Sequence, residues 1–214
     1  MKRFLALLLV LLTTAFSARA EIVGLAGDKY IHSLLAPNGK PVYFVSQEEE
    51  PFVLLKDVNF DGVEDMVVTV TLGASNFGCE FFVWHDGSYV PVRHGGADSL
   101  VNYELYPELG LVETYVDEGV AGAFHERTLW RWNGTDLQRV RTAYSQEAET
   151  WSSGDGTYTV VTNNNLVWIR VWDVVDGSSV VPPMMDVTVP LRDEQALQAA
   201  EQEELRLFWQ GLRP

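Results

Sequence analysis

Between about Tyr30 and Val181 the chain runs in short stretches that alternate apolar and polar positions, rich in Val, Tyr, Phe, Trp and Thr and broken by Asn-Gly or Asp-Gly pairs. Alternation with a period of two is the mark of a half-buried strand, and those dipeptides favour tight hairpin turns because both residues tolerate positive φ. The pattern predicts four hairpins. YIHSLLAPNGKPVYFV turns at Asn38-Gly39, CEFFVWHDGSYVPV at Asp86-Gly87, RTLWRWNGTDLQRV at Asn133-Gly134, and WIRVWDVVDGSSVV at Asp176-Gly177. The turn glycines are 48, 47 and 43 residues apart, and Trp84, Trp132 and Trp172 each lie just before a turn. Units of about 40 to 50 residues, each a small antiparallel sheet, have the length of propeller blades. The expectation is a mainly β fold, a small β-propeller-like body of about four to five blades, with a β-sandwich as the alternative.

Two stretches depart from the alternation. Residues 145–157, SQEAETWSSGDGT, are polar and rich in Gly and Ser, which predicts an exposed loop or weak boundary. After a strand expected over Met184 to Val189, the tail LRDEQALQAAEQEELRLFWQGL turns to a helical period. Asp193 is placed to cap that helix, and Leu197, Ala200, Leu205, Phe208 and Leu212 are expected on its buried face. The expected divisions are residues 1–20, a domain over 21–190, and a terminal helix over 191–214 packed on that domain.

The opening MKRFLALLLVLLTTAFSARA alters the charge. Lys2 and Arg3, an apolar run from Phe4 to about Leu12, and Ala18-Arg19-Ala20 form the pattern of a secretory signal peptide, with cleavage expected after Ala20. The apolar run is too short to span a bilayer, and no cysteine follows it to carry a lipid anchor. The mature chain is expected in the periplasm or medium. Removing residues 1–20 takes three cations and no carboxylates, so the formal charge falls from −15 to −18. Such a surface repels nucleic acid and anionic lipid and speeds encounter with basic partners. Cys79 is the only cysteine and is expected to act as a small buried apolar residue.

Candidate chemistry concentrates in KDVNFDGVEDM, residues 56–66. From Asp57 it reads D-x-N-x-D-G-x-x-D, with oxygen-bearing side chains at positions 1, 3, 5 and 9 and Gly62 at position 6. Calcium takes six to eight hard oxygen ligands, and a chain curling round the ion presents alternate residues inward. The expected ligands are Asp57, Asn59, Asp61, the Val63 carbonyl and Asp65. Flanking runs FVLL and MVVTVTL predict a strand on each side, and position 12 is Val68 where an EF-hand needs a glutamate.

With its following residues, DVNFDGVEDMVV resembles the calcium loops of FG-GAP and VCBS-type propeller repeats. The wider order of features is one such loop, then FFVWHDGSYVPV, YPELG and HERTLWRWNGTDLQRV. It resembles, over roughly Phe52 to Val140, exported Gram-negative proteins that inhibit c-type lysozyme. The resemblance implies a propeller-like fold, one bound calcium, and a basic lysozyme as partner. Residues 94–99 (HGGADS) and 117–122 (DEGVAG) are then candidate loops for entering an enzyme's cleft.

Nothing in the sequence marks a catalyst. His32, His85, His94 and His125 lie on separate segments without zinc-binding spacing, and neither a GxSxG nor a phosphate-binding loop is present. Two readings follow: an exported protein-binding module that inhibits a basic lysozyme, or a structural calcium-binding protein of the envelope without an enzyme target.

Overall fold

A computed structural model describes residues 20–95, 99–119, 123–154 and 157–212, with side chains described outside 149–164. The expected leader therefore lies outside the described residues, apart from Ala20. The fold is mainly β, and every strand pairing among the described residues is antiparallel. Sheet one holds β1 (Glu21–Ala26), β2 (Lys29–Leu35) and β3 (Pro41–Ser46). Sheet two holds β4 (Val53–Lys56), β5 (Asp65–Leu72), β6 (Phe77–His85) and β7 (Ser88–Pro91), with β8 (Leu100–Val101) on β6. Sheet three runs from β9 (Glu104–Tyr106) through β10 (Leu111–Gly119), β11 (Phe124–Asn133), β12 (Asp136–Gly154) and β13 (Thr157–Val175) to β14 (Ser178–Ser179). β15 (Met185–Pro190) pairs with β13, and α1 (Glu194–Phe208) follows.

Side-chain alternation explains how these layers pack. In β3, Val42 and Phe44 point inward while Tyr43 and Val45 stay exposed, the pattern of an outer sheet. In β5 the run Met66-Val67-Val68 is buried throughout, because sheet two is covered on both faces. One face puts Met66, Val68, Val70 and Phe82 against Leu34, Val42 and Phe44 of sheet one. The other puts Val67, Phe81 and Val83 against Val112, Trp130 and Leu137 of sheet three. Sheet three in turn packs Leu111, Leu129, Ile169 and Val171 against Ala200, Leu207 and Phe208 of α1. Phe81 and Phe208 are fully buried, each contributing about 1.5–3 kcal/mol of apolar burial.

The turns follow the sequence closely, with one shift. Asp86-Gly87 and Asp176-Gly177 are two-residue turns with positive φ at both positions, as their dipeptides demand. The Asn38-Gly39 hairpin also forms. At the third, Asn133 pairs with Asp136, so the turn residues are Gly134 and Thr135, one place later than expected. The quasi-period does not give one sheet per turn: the third and fourth turns lie in the same sheet, and the described strands form three sheets rather than four or five blades.

The polar stretch at 145–157 is not a loop over its first ten residues. Ser145 to Gly154 continue β12 and pair with β13 as far as Gly154 opposite Thr157. Pairing with a long, Val-rich neighbour supplies the strand that local composition does not. In α1, Asp193 accepts a hydrogen bond from Ala196 N at 3.1 Å, as its cap position predicts. The buried face is Ala200, Glu204, Leu207 and Phe208; Leu205, expected inside, is 46% exposed. Arg141 holds the far end of the helix, donating to the Leu207, Phe208 and Gln210 carbonyls.

Candidate functional site

The expected calcium loop occupies the connection between β4 and β5, whose pairing runs up to Lys56 opposite Asp65. Two backbone positions wind it: Phe60 at φ 67° and Gly62 at φ 85°. A glycine suits the second, since left-handed backbone costs other residues about 1–2 kcal/mol.

The loop's oxygens are tied to its own N–H groups. Asp57 Oδ1 accepts from Phe60 N (2.7 Å) and Asp61 N (3.2 Å), and its Oδ2 accepts from Gly62 N (2.9 Å). Asn59 Oδ1 accepts from Asp61 N at 3.1 Å, while its amide donates to Asp61 Oδ2 at 2.9 Å. Asp61 Oδ1 accepts from Val63 N at 2.8 Å. Asp57, Asn59 and Asp61 are thereby brought into one hydrogen-bonded turn, and Val63 enters it through its N–H.

Asp65 is set apart from the other three. Its side chain has no exposed surface and its carboxylate joins three segments. Oδ2 accepts from Val58 N (3.0 Å) and Asn59 N (3.3 Å), and Oδ1 accepts from Trp84 N on β6 (2.8 Å). Burial pushes this carboxyl above the usual carboxylate range, the three N–H groups pull it down, and the nearby Asp61 charge adds to the rise. No cationic side chain contacts it among the described residues. Val58, beside it, is fully buried in the cluster between sheets two and three and pins the loop from within. The sequence places Asp65 at the last position of the repeat but gives no sign of the tie to Trp84, which is 19 residues distant.

The donor set is all hard oxygen, the kind of ligand calcium takes, so the residues fit the ion in chemistry. Asp57, Asn59, Asp61, the Val63 carbonyl and Asp65 would hold it. Among the described residues no three His, Cys, Asp or Glu side chains gather into a ready metal cluster, and the loop carboxylates are directed to backbone N–H groups.

A second polar group, unforeseen in the sequence, lies under α1. His125 Nε2 and Glu204 Oε1 are 2.8 Å apart, and Glu204 is only 2% exposed. Arg127 pairs with Glu113 at 3.0 Å, lies 3.8 Å from Glu204, and its guanidinium sits 4.6 Å from the Tyr115 ring centre. Tyr106 donates to Glu113 Oε2 at 2.9 Å. Clefts of about 410 and 400 Å³ flank this group and share Tyr115, Arg127 and Leu205. The remaining histidines stand apart from it, His32 bonded to the Glu48 carbonyl, His85 near Asp86 and His94 near Glu80.

Cys79 is buried and unpaired, and burial raises its thiol. Of the two candidate insertion loops, residues 96–98 and 120–122 lie outside the described residues; His94 is buried, and Asp117 belongs to β10.

No protein-family model matches the chain, and no curated protein matches it. One solved structure that it matches is described as a Xanthomonas type IV secretion system related protein. The identity is 12%, the TM-score is 0.39, and the match covers 67% of this chain and 86% of that one.

Proposed function

We propose that this protein is an exported calcium-binding β protein that serves as a protein-binding module and inhibits a basic, c-type lysozyme. The observation that carries the calcium reading is Asp65, a fully buried carboxylate at the base of an oxygen-rich loop, balanced among the described residues only by backbone N–H groups. A divalent cation held by the loop supplies the opposite charge that such a carboxylate lacks. Bound calcium would brace the β4–β5 connection and, through Asp65, the start of the Trp84 turn.

The three antiparallel sheets stack in succession, which supports a propeller-like body or its β-sandwich alternative. Their packing order repeats their chain order, each meeting the next through its own apolar cluster. Export rests on the first 20 residues of the sequence. Among the described residues no helix is long and apolar enough to cross a membrane. The partner reading rests on the resemblance at residues 52–140 and on charge. At −18 after loss of the leader, the surface attracts a cationic enzyme and raises its encounter rate.

The test is lysis of a peptidoglycan suspension by c-type lysozyme in the presence of excess mature protein, with calcium or with chelator. Inhibition that weakens on chelation and survives about 0.15 M salt, where the screening length is about 8 Å, is the expected result. Undiminished lysis in both conditions overturns the inhibitor reading and leaves a structural calcium protein of the envelope.

A further inference from the structure

The two faces of sheet three differ in what covers them. Along β12 and β13, Ala143, Ser145, Val167, Ile169 and Val171 are buried, most of them in the helix-side core, whereas the intervening Tyr144, Gln146, Trp168, Arg170 and Trp172 point the other way. Toward β10 and β11 that second face is closed by sheet two through Val112 and Trp130. Over β12 and β13 the five side chains stay half-buried and line a notch of about 240 Å³.

The notch is built and held. Trp168 and Trp172 are four residues apart on one strand, a separation of about 13 Å. Tyr144 stands opposite Arg170 on the neighbouring strand. The Tyr144 and Trp172 ring centres are 5.4 Å apart, tilted by 45°. Asp186 on β15 fixes the other wall, accepting from Trp168 Nε1 at 2.6 Å and from Arg170 Nε at 3.3 Å. Arg170 in turn lies 3.0 Å from the centre of the Trp168 ring. Among the described residues neither the Gln146 amide nor the terminal NH₂ groups of Arg170 have a hydrogen-bond partner, so donors and an acceptor are left at the edge of the rings.

This chemistry selects its ligand. Three aromatic rings could cage a cation, but Arg170 already fills that role on Trp168. An anion finds no surplus positive charge, because Asp186 balances Arg170 and the Glu126 carboxylate bonds Tyr144. A purely apolar side chain would bury the Gln146 amide and the guanidinium unpaired, at a cost in affinity. A pyranose ring meets each requirement: its C–H faces stack on aromatic rings and its equatorial hydroxyls take hydrogen bonds at the ring edge. The volume lies below that of drug-sized pockets, so it admits about one ring.

We infer that the notch lined by Tyr144, Gln146, Trp168, Arg170 and Trp172 binds a neutral oligosaccharide, one sugar ring lying among the aromatics with its hydroxyls on Gln146 and Arg170. The site is separate from the calcium loop and does not depend on lysozyme inhibition.

Titration calorimetry of the mature protein with cellotriose, maltotriose and chitotriose, up to about 10 mM, tests it; a single seated ring gives a dissociation constant of about 1 mM by ligand efficiency. At least one trisaccharide should saturate. Trp172→Ala should weaken that binding at least about ten-fold, and Gln146→Ala, a partly exposed change that spares the packing, at least about three-fold with unchanged circular dichroism. Asp61→Ala, in the β4–β5 loop and not among the lining residues, should leave it unaltered. No saturation by any of the three sugars overturns the inference, as does sugar binding indifferent to both Trp172→Ala and Gln146→Ala. A Trp172-dependent response to tetramethylammonium or to lysozyme, with none to sugar, overturns it in favour of a cation cage or a protein contact.

Discussion

Replacing Asp65 by alanine removes one carboxylate and strands three backbone donors: Val58 N, Asn59 N and Trp84 N. A buried donor left unmet costs about 1–3 kcal/mol. Val58 is fully enclosed, while Asn59 and Trp84 are closer to solvent and recover part of their loss through water. Removing a buried charge returns some desolvation energy, and the net expected cost is about 2–4 kcal/mol. For a chain of this size 1 kcal/mol moves the melting temperature by about 2–4 °C, so Asp65→Ala should melt about 4–16 °C below the wild type. Because burial raises the folded carboxyl above its unfolded value, the folded state holds the proton more tightly than the unfolded one. The stability from this group is therefore greatest below the unfolded value and falls as pH rises through the folded one. In chelator the gap between wild type and Asp65→Ala should narrow from about pH 4 to pH 7. Calcium, which favours the ionised form, should widen it again at pH 7. Melts followed by near-ultraviolet circular dichroism at both pH values measure this. A variant that melts within about 1 °C of the wild type, or a gap that grows with pH in chelator, refutes the reasoning.

The Asp61 side chain is exposed and hydrogen-bonds only the Asn59 amide and Val63 N among the described residues, so Asp61→Ala, which keeps the Asp61 N–H, should change the melt in chelator by less than about 2 °C. At a dissociation constant of about 10⁻⁵ to 10⁻⁴ M, about 1 mM calcium adds about 1.4–2.7 kcal/mol to the wild type, or about 3–10 °C, and should add nothing to Asp61→Ala. Equal calcium responses in the two proteins would exclude this loop as the site. Arg141 is 7% exposed and bonds three carbonyls at the end of α1 as well as Asp173, so Arg141→Ala should cost about 3 kcal/mol. Hydrogen exchange in residues 194–208 should accelerate in that variant, and unchanged protection there would contradict the assigned role.

Much of this architecture is legible along the chain where local chemistry decides it. Asp86-Gly87 and Asp176-Gly177 mark their turns because few other residue pairs accept two positive φ angles in succession. Asp193 marks the helix start because its side chain meets a free N–H. What escapes the sequence depends on distant partners. Residues 145–154 read as loop until β13 lies beside them. Nothing along the chain marks Glu204 for burial; it meets His125 and Arg127 only in the fold, and the helix that buries it leaves Leu205 facing outward. The loop shows the same division. Asp57, Asn59 and Asp61 bond within five residues and are legible as one turn, whereas Asp65 takes its meaning from Trp84 on another strand.

The match between chain order and layer order bears on how the protein is made. A chain leaving a ribosome or a translocation pore presents its N-terminal part first. Sheet one can receive sheet two as soon as that emerges, and sheet two can receive sheet three, so each fresh apolar face waits only for the next segment. The exception is the outer face of sheet three, where Leu111, Leu129, Val167, Ile169 and Val171 have no cover until α1 arrives. A nascent chain halted before Glu194 would thus expose one continuous apolar surface on an otherwise assembled body, the kind of surface that chaperones hold and proteases remove. Docking of the helix is then the step that ends this exposure, and Arg141, waiting on β12 for carbonyls more than 60 residues downstream, is the group that fastens it.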